Sequence, residues 1–137
     1  MVKSILCNGS KLCYQILGKG KTVVFIHGYC EDSFIWKNIA TQLATSHQVI
    51  CIDLPGYGQS DLPKNKALSF ELFADSVFAV LKNEEVSKAT ICGHSMGGYT
   101  ALYFAKKHAV LLSGIGLINS HCFEDSEERK ANRKKAV

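Results

Sequence analysis

Along the chain, short apolar blocks alternate with segments whose apolar residues recur at helical spacing, and glycines mark many of the junctions. Ser4 to Cys7 and Lys11 to Leu17 are joined by Asn8-Gly9-Ser10, the pattern of an N-terminal β-hairpin. Thr22 to Ile26 is a continuous β-branched and aromatic run closed by His27-Gly28. The apolar residues that follow, Phe34, Ile35, Ile39, Leu43 and Ala44, fall at a helical period. The alternation then repeats, with Gln48 to Ile52 as strand, Ser69 to Leu81 as helix, Ala89 to Cys92 as strand, Gly97 to His108 as helix and Gly114 to Ile118 as strand. Inner strands written as solid apolar blocks are buried on both faces. An α/β fold is therefore expected, with a mostly parallel sheet, helices on both faces and about six strands.

A length of 137 residues fits one folding unit. The 47% hydrophobic and 20% charged composition excludes disorder for the bulk of the chain. The formal charge of +4 is spread along the sequence until its last positions, so nucleic acid is not an expected partner. Lys, Asn and Gly interrupt the N-terminus before a signal peptide's apolar core could form, and no apolar run reaches transmembrane length. A cytoplasmic protein without a membrane partner is expected. The six cysteines, Cys7, Cys13, Cys30, Cys51, Cys92 and Cys122, form no CxxC pair and mostly lie in apolar runs. They read as small buried hydrophobes in a reducing compartment and not as a disulfide or zinc framework.

Composition breaks once. Residues 1–123 read as the folded body, whereas 124–137 read as a charged helix with acidic residues first and basic residues last, an order that suits the helix dipole. Asp125 and Arg129 stand four apart and are expected to pair along it. The segment has no apolar stripe with which to dock.

The sharpest chemical signal is Gly93-His94-Ser95-Met96-Gly97-Gly98. G-x-S-x-G alone is a weak pattern, but here it follows an apolar strand and opens a helix-period segment, the setting a nucleophile elbow requires. Such a tight bend strains the serine backbone and needs small flanking residues, which Gly93 and Gly97 provide. Ser95 would then present its hydroxyl at the C-terminal edge of the sheet, where the N–H groups of a helix start face the charge formed on attack at a carbonyl. After Thr22 to Ile26, the glycine of His27-Gly28-Tyr29-Cys30 is expected to let the backbone turn and aim a following N–H at the same edge. With the N–H of Met96 it would supply an oxyanion with two donors.

The series His27-Gly28 with Trp36, then Asp53-Leu54-Pro55-Gly56-Tyr57-Gly58-Gln59-Ser60, then Gly93 to Gly98 resembles the α/β-hydrolase fold superfamily in its serine esterase and lipase-like branch. The resemblance covers nearly the whole chain, in the right order. It implies Ser95 as catalytic nucleophile, Tyr29 and Met96 as the oxyanion hole, His27 and His94 as residues that shape the site, and Asp53 as a structural loop acid. It also implies a small-molecule acyl substrate and no metal or organic cofactor. Residues 124–137 would begin a cap or lid.

The family order of nucleophile, acid, histidine is not met, because no carboxylate lies between Ser95 and either His108 or His121. His108 reads as a cation at a helix C-terminus. His121, just past the last strand, is the candidate base and also reads as an ordinary loop histidine. The expectation is a serine hydrolase of carboxylic esters or related acyl bonds, present as its N-terminal half, with triad acid and histidine missing and little turnover in isolation. The alternative is a non-catalytic binding module on the same framework. The edge at Gly114 to Ile118 would pair with the missing half or with a second copy. Tyr29, Phe34 and Trp36 either line an acyl pocket or belong to the core.

Overall fold

The computed structural model describes residues 1–64 and 66–135, without the side chain of Arg133, so the last two residues of the charged segment lie outside the described residues. Strands β1 (Val2–Cys7) and β2 (Ser10–Leu17) form the hairpin, with Cys7 opposite Ser10. Asn8 and Gly9 both take positive φ, 52° and 77°, as a two-residue turn matched to strand twist requires. After β2 come β3 (Thr22–Ile26), a 3₁₀ turn (Ser33–Trp36), α1 (Lys37–Leu43), β4 (Gln48–Ile52) and α2 (Phe70–Asn83). The chain continues through β5 (Ala89–His94), α3 (Met96–His108), a 3₁₀ turn (Ala109–Leu111), β6 (Leu112–Ile118) and α4 (Glu127–Lys135).

The described residues form a six-stranded sheet in the order β1-β2-β4-β3-β5-β6. The hairpin joins it antiparallel through β2, whereas β4, β3, β5 and β6 run parallel. The parallel strands all end at one edge, the edge that carries the loops holding Tyr29, Tyr57 and Ser95.

The period-two geometry of β3 and β4 divides their side chains between two layers. Val24, Ile26, Ile50 and Ile52 face α2 and α3, meeting Phe73, Val77, Val80, Leu81, Ala101 and Phe104 in the larger core. Phe25, Val49 and Cys51 face the opposite layer, where Trp36 and Ala40 cover them. Helix α2 begins where Ser69 Oγ accepts from the Leu72 N–H at 3.1 Å, an N-cap that replaces a missing helical bond.

The expected apolar face after β3 is rotated. Phe34, Ile35 and Ile39 are exposed, while Trp36 and Ala40 are buried and Leu43 is partly buried against them. The cause is local: Asp32 Oδ1 accepts from the Phe34 N–H at 2.8 Å and starts a 3₁₀ turn, so α1 begins only at Lys37 and presents the Trp36, Ala40, Leu43 face. Trp36 stacks on Phe25 with ring centroids 4.7 Å apart, whereas Phe34 lies beneath the Lys37 ammonium. Of the three aromatics weighed for a pocket, Trp36 belongs to the core, Phe34 to the surface and Tyr29 to a cavity wall.

The charged segment becomes helical at Glu127, three residues later than its composition break, with Ser126 Oγ accepting from the Arg129 N–H at 3.3 Å. The Arg129 guanidinium reaches back to His121 Nε2 at 2.7 Å, and Asp125 Oδ1 stands 4.0 Å from the same nitrogen.

Candidate active site

Ser95 joins β5 to α3 with φ 48° and ψ −111°, a backbone state that costs a non-glycine residue about 1–3 kcal/mol. Three hydrogen bonds hold it there. Its N–H donates to Ile118 O at 2.9 Å, and its carbonyl accepts from the Gly98 N–H at 3.0 Å and from Ser120 Oγ at 2.9 Å. The glycines on either side are required by close approach: a Cβ on Gly93 would lie 2.0 Å from Gly97 O, and one on Gly97 would lie 2.4 Å from Ile26 O. The bend is thus pressed against the end of β3, and the Ser95 side chain stays exposed. Met96 opens α3, so its N–H has no partner within the helix.

The loop after β3 lies at the same edge, and Tyr29 and Met96 wall one cavity together. Gly28 does not supply the turn expected of it. The positive φ in this loop is at Cys30, 58°, and Gly28 serves close packing, since a Cβ there would stand 2.7 Å from Glu31 Oε2. Glu31 is the residue that sequence reasoning passed over. Its Oε2 accepts from the Gly28 N–H at 2.7 Å and from His94 Nδ1 at 2.9 Å, tying the residue before Tyr29 to the residue before Ser95. Burial pushes the Glu31 carboxyl up, but the hydrogen bonds from His94 and Gly28 outweigh it and leave the carboxyl below its ordinary value. The available signal was an acid inside a short Gly-containing loop directly after a buried strand.

His27 and Asp53 brace the site from beneath. The His27 ring is fully buried; its Nδ1–H donates to Gly28 O at 2.7 Å and Nε2 accepts from the Leu54 N–H at 3.0 Å. Burial holds its pKa below the ordinary imidazole value. Asp53 Oδ1 accepts from the Ser33 N–H at 2.8 Å and Oδ2 from the Gln59 N–H at 2.9 Å, fixing the loops after β3 and β4 to each other.

Ser95 shares a polar cavity of 320 Å³ with Tyr99, Asn119, Ser120, His121 and Arg129. Because a guanidinium can only donate, His121 Nε2 accepts from Arg129, and the ring proton therefore lies on Nδ1. That nitrogen is buried with no hydrogen-bond partner among the described residues. His121 is thus brought to the cavity wall with its lone pair already taken. His108 stands at the end of α3, stacked on Phe78 at 4.2 Å and 3.6 Å from Asp75. All six cysteines are free thiols, but Cys30 and Cys122 are exposed because both fall in loops at the sheet edge, against the expectation of burial. Among the described residues no group of three or more His, Cys, Asp or Glu is arranged to hold a metal ion, and no helix is long and apolar enough to cross a membrane.

The chain is 32% identical over 112 residues to the pimeloyl-[acyl-carrier protein] methyl ester esterase of Aeromonas hydrophila, covering 81% of this chain and 42% of that protein. To the uncharacterized hydrolase YugF of Bacillus subtilis it is 31% identical over 107 residues, which is 78% of this chain and 39% of the relative. It therefore spans less than half the length of these curated relatives. Among solved structures, a thermophilic esterase from Thermogutta terrifontis superposes with a TM-score of 0.84 at 31% identity, over 92% of this chain and 46% of the esterase. Residues 21–135 match the model of the alpha/beta hydrolase fold family, and with the parallel sheet and the strained Ser95 bend already described, the chain belongs to that family and carries an N-terminal part of its fold.

Proposed function

We propose that the protein is a serine hydrolase that cleaves a carboxylic ester or related acyl bond through an acyl-enzyme, with Ser95 as nucleophile. The observation that carries this reading is the backbone of Ser95, held at positive φ at the start of α3 with its side chain exposed. The strain has a use if the hydroxyl must stand clear of the sheet edge beside the first N–H groups of a helix.

Ser95 Oγ attacks the substrate carbonyl carbon while its proton passes to a histidine. The oxyanion accepts hydrogen bonds from the N–H groups of Tyr29 and Met96. The C–O bond then breaks, the histidinium returns the proton to the departing alcohol, and water repeats the sequence to release the acid. Losing one oxyanion donor costs about 100- to 1,000-fold in rate.

In this reading none of the five histidines of this segment is assigned as the base. His27, His94 and His121 use ring nitrogens on Leu54, Glu31 and Arg129, while His47 bonds its neighbour Ser46 and His108 stacks on Phe78. In this reading the histidine and its acid come from residues beyond the segment, α4 begins a cap, and the open edge of β6 receives the strands that carry the triad partners. The isolated segment is accordingly slow, because removing the base from a serine triad costs on the order of a million-fold in kcat.

Labelling with a small alkyl fluorophosphonate, read by intact mass and peptide mapping, tests the assignment. One adduct on Ser95, lost in Ser95→Ala, is the expected outcome. Absence of label on Ser95 in the protein extended to the length of its relatives would leave a binding module as the better account.

A further inference from the structure

Beside the polar cavity that holds Ser95 lies a second one of 540 Å³, well above what an acetyl group fills and within the ~300–1,000 Å³ range of small-molecule sites. Its wall carries five aromatic rings, Tyr29, Tyr57, Phe70, Phe73 and Tyr103, together with Met96. These rings come from four separate segments and meet one another edge to face. Tyr29 and Tyr57 have centroids 6.4 Å apart at 73°, Tyr57 and Phe73 6.2 Å at 71°, and Phe70 and Phe73 6.4 Å at 76°. Tyr103 leans on Phe70 at 5.7 Å. The Tyr57 hydroxyl donates to Met96 Sδ at 3.7 Å, which anchors the ring lattice to the first residue of α3.

The lining has no basic residue, and its acid, Glu71, is engaged by the Lys107 ammonium at 3.2 Å. A carboxylate or phosphate carried into this space would meet no counter-charge. A saturated chain would find apolar area but no use for the ring orientations. A flat neutral ring continues the edge-to-face pattern, and each such contact favours an aromatic guest by roughly two- to tenfold beyond its buried area.

We propose that this cavity binds a neutral aromatic group, and that the substrates are esters that carry an aryl ring. That the ring belongs to a substrate of the Ser95 site rests on the reading of Ser95 as nucleophile, because Tyr29 and Met96 both line the cavity and both belong to the oxyanion site of that reading. Binding of the ring does not depend on it.

The test uses 3-phenylpropanamide and 3-cyclohexylpropanamide, two uncharged ligands of equal chain length, titrated into the full chain and followed by NMR. Cyclohexyl is the larger and more apolar group, so burial alone would favour it. The expected result is that the phenyl compound binds about fivefold tighter, with the largest shifts at Phe70, Tyr57 and Tyr103. Equal or tighter binding of the cyclohexyl compound, or no binding of either, overturns the proposal. Tyr103 is 43% exposed, so Tyr103→Leu leaves the fold intact; it should weaken the phenyl compound at least twofold and leave the cyclohexyl compound unchanged. An unchanged phenyl affinity in that variant also overturns it. Fluorophosphonate labelling of Ser95 in the protein extended to the length of its relatives then separates the two readings: ring preference without labelling keeps the binding site and removes the hydrolase, whereas labelling without ring preference does the reverse.

Discussion

The centre of the sheet and its β5–β6 flank are built from similar apolar text and end in different states. β3 and β4 are closed on both faces, and Val24, Ile26, Ile50 and Ile52 are without solvent exposure. On the flank, β5 alternates buried and half-buried residues, and β6 leaves Ile115 43% exposed. The strained Ser95 stands where these regions meet, with Gly97 pressed on the carbonyls of Ile26 and His27 at the end of β3. Both halves hold the bend, the closed one through the packing of Gly97 on the end of β3 and the open one through Ile118 O and Ser120 Oγ, and the open half also leaves the room that a reacting molecule needs.

If that contrast holds, Ile52→Ala should cost the most, about 2–5 kcal/mol in urea unfolding, because the closed layer cannot collapse around the lost volume. Gly97→Ala should follow at about 3 kcal/mol, as its methyl would be driven into backbone and not into a movable side chain. Circular dichroism melts would check both, and for Gly97→Ala any surviving fold should also lose Ser95 labelling.

A pH titration of stability probes the brace beneath the site. His27 has a depressed pKa when folded, so the unfolded chain takes up a proton that the buried ring refuses. Stability should therefore be full above the ordinary imidazole value near 6.5 and decline as pH falls from there, with a slope approaching ~1.4 kcal/mol per pH unit. Glu31 acts lower: its depressed value adds stability that is present above the ordinary carboxylate range and lost as pH falls below it. His27→Gln should flatten the profile between pH 6.5 and 5 in thermal melts. The smallest effect belongs to the flank, where Ile115→Ala should cost under ~1 kcal/mol, since much of its surface is already in water. A cost equal to that of Ile52→Ala would erase the contrast between the two regions.

Much of this was legible because it depends on neighbours in sequence. Asn8-Gly9 marks its turn, and the solid apolar blocks of β3 and β4 announce strands covered on both faces. The elbow was legible too, since glycines at 93 and 97 around a serine between strand and helix have a local steric meaning. The rotation of the Phe34 to Leu43 segment was not, because it turns on whether one Asp32 side chain captures the Phe34 N–H and starts a tighter helix. Nor was Glu31, whose partner His94 lies 63 residues away.

Periodicity and turn chemistry act over a few bonds, and they dictate the order of elements, the hairpin and the place of the bend in this chain. Which side chains gather at the edge is a matter of distant segments meeting. Tyr29, Tyr57, Phe70 and Tyr103 become one wall, Glu31 joins two loops, and Arg129 takes the lone pair of His121 only after the sheet has brought their backbones together. Those contacts have no local signature, because their energies exist only between residues that the folded chain makes neighbours.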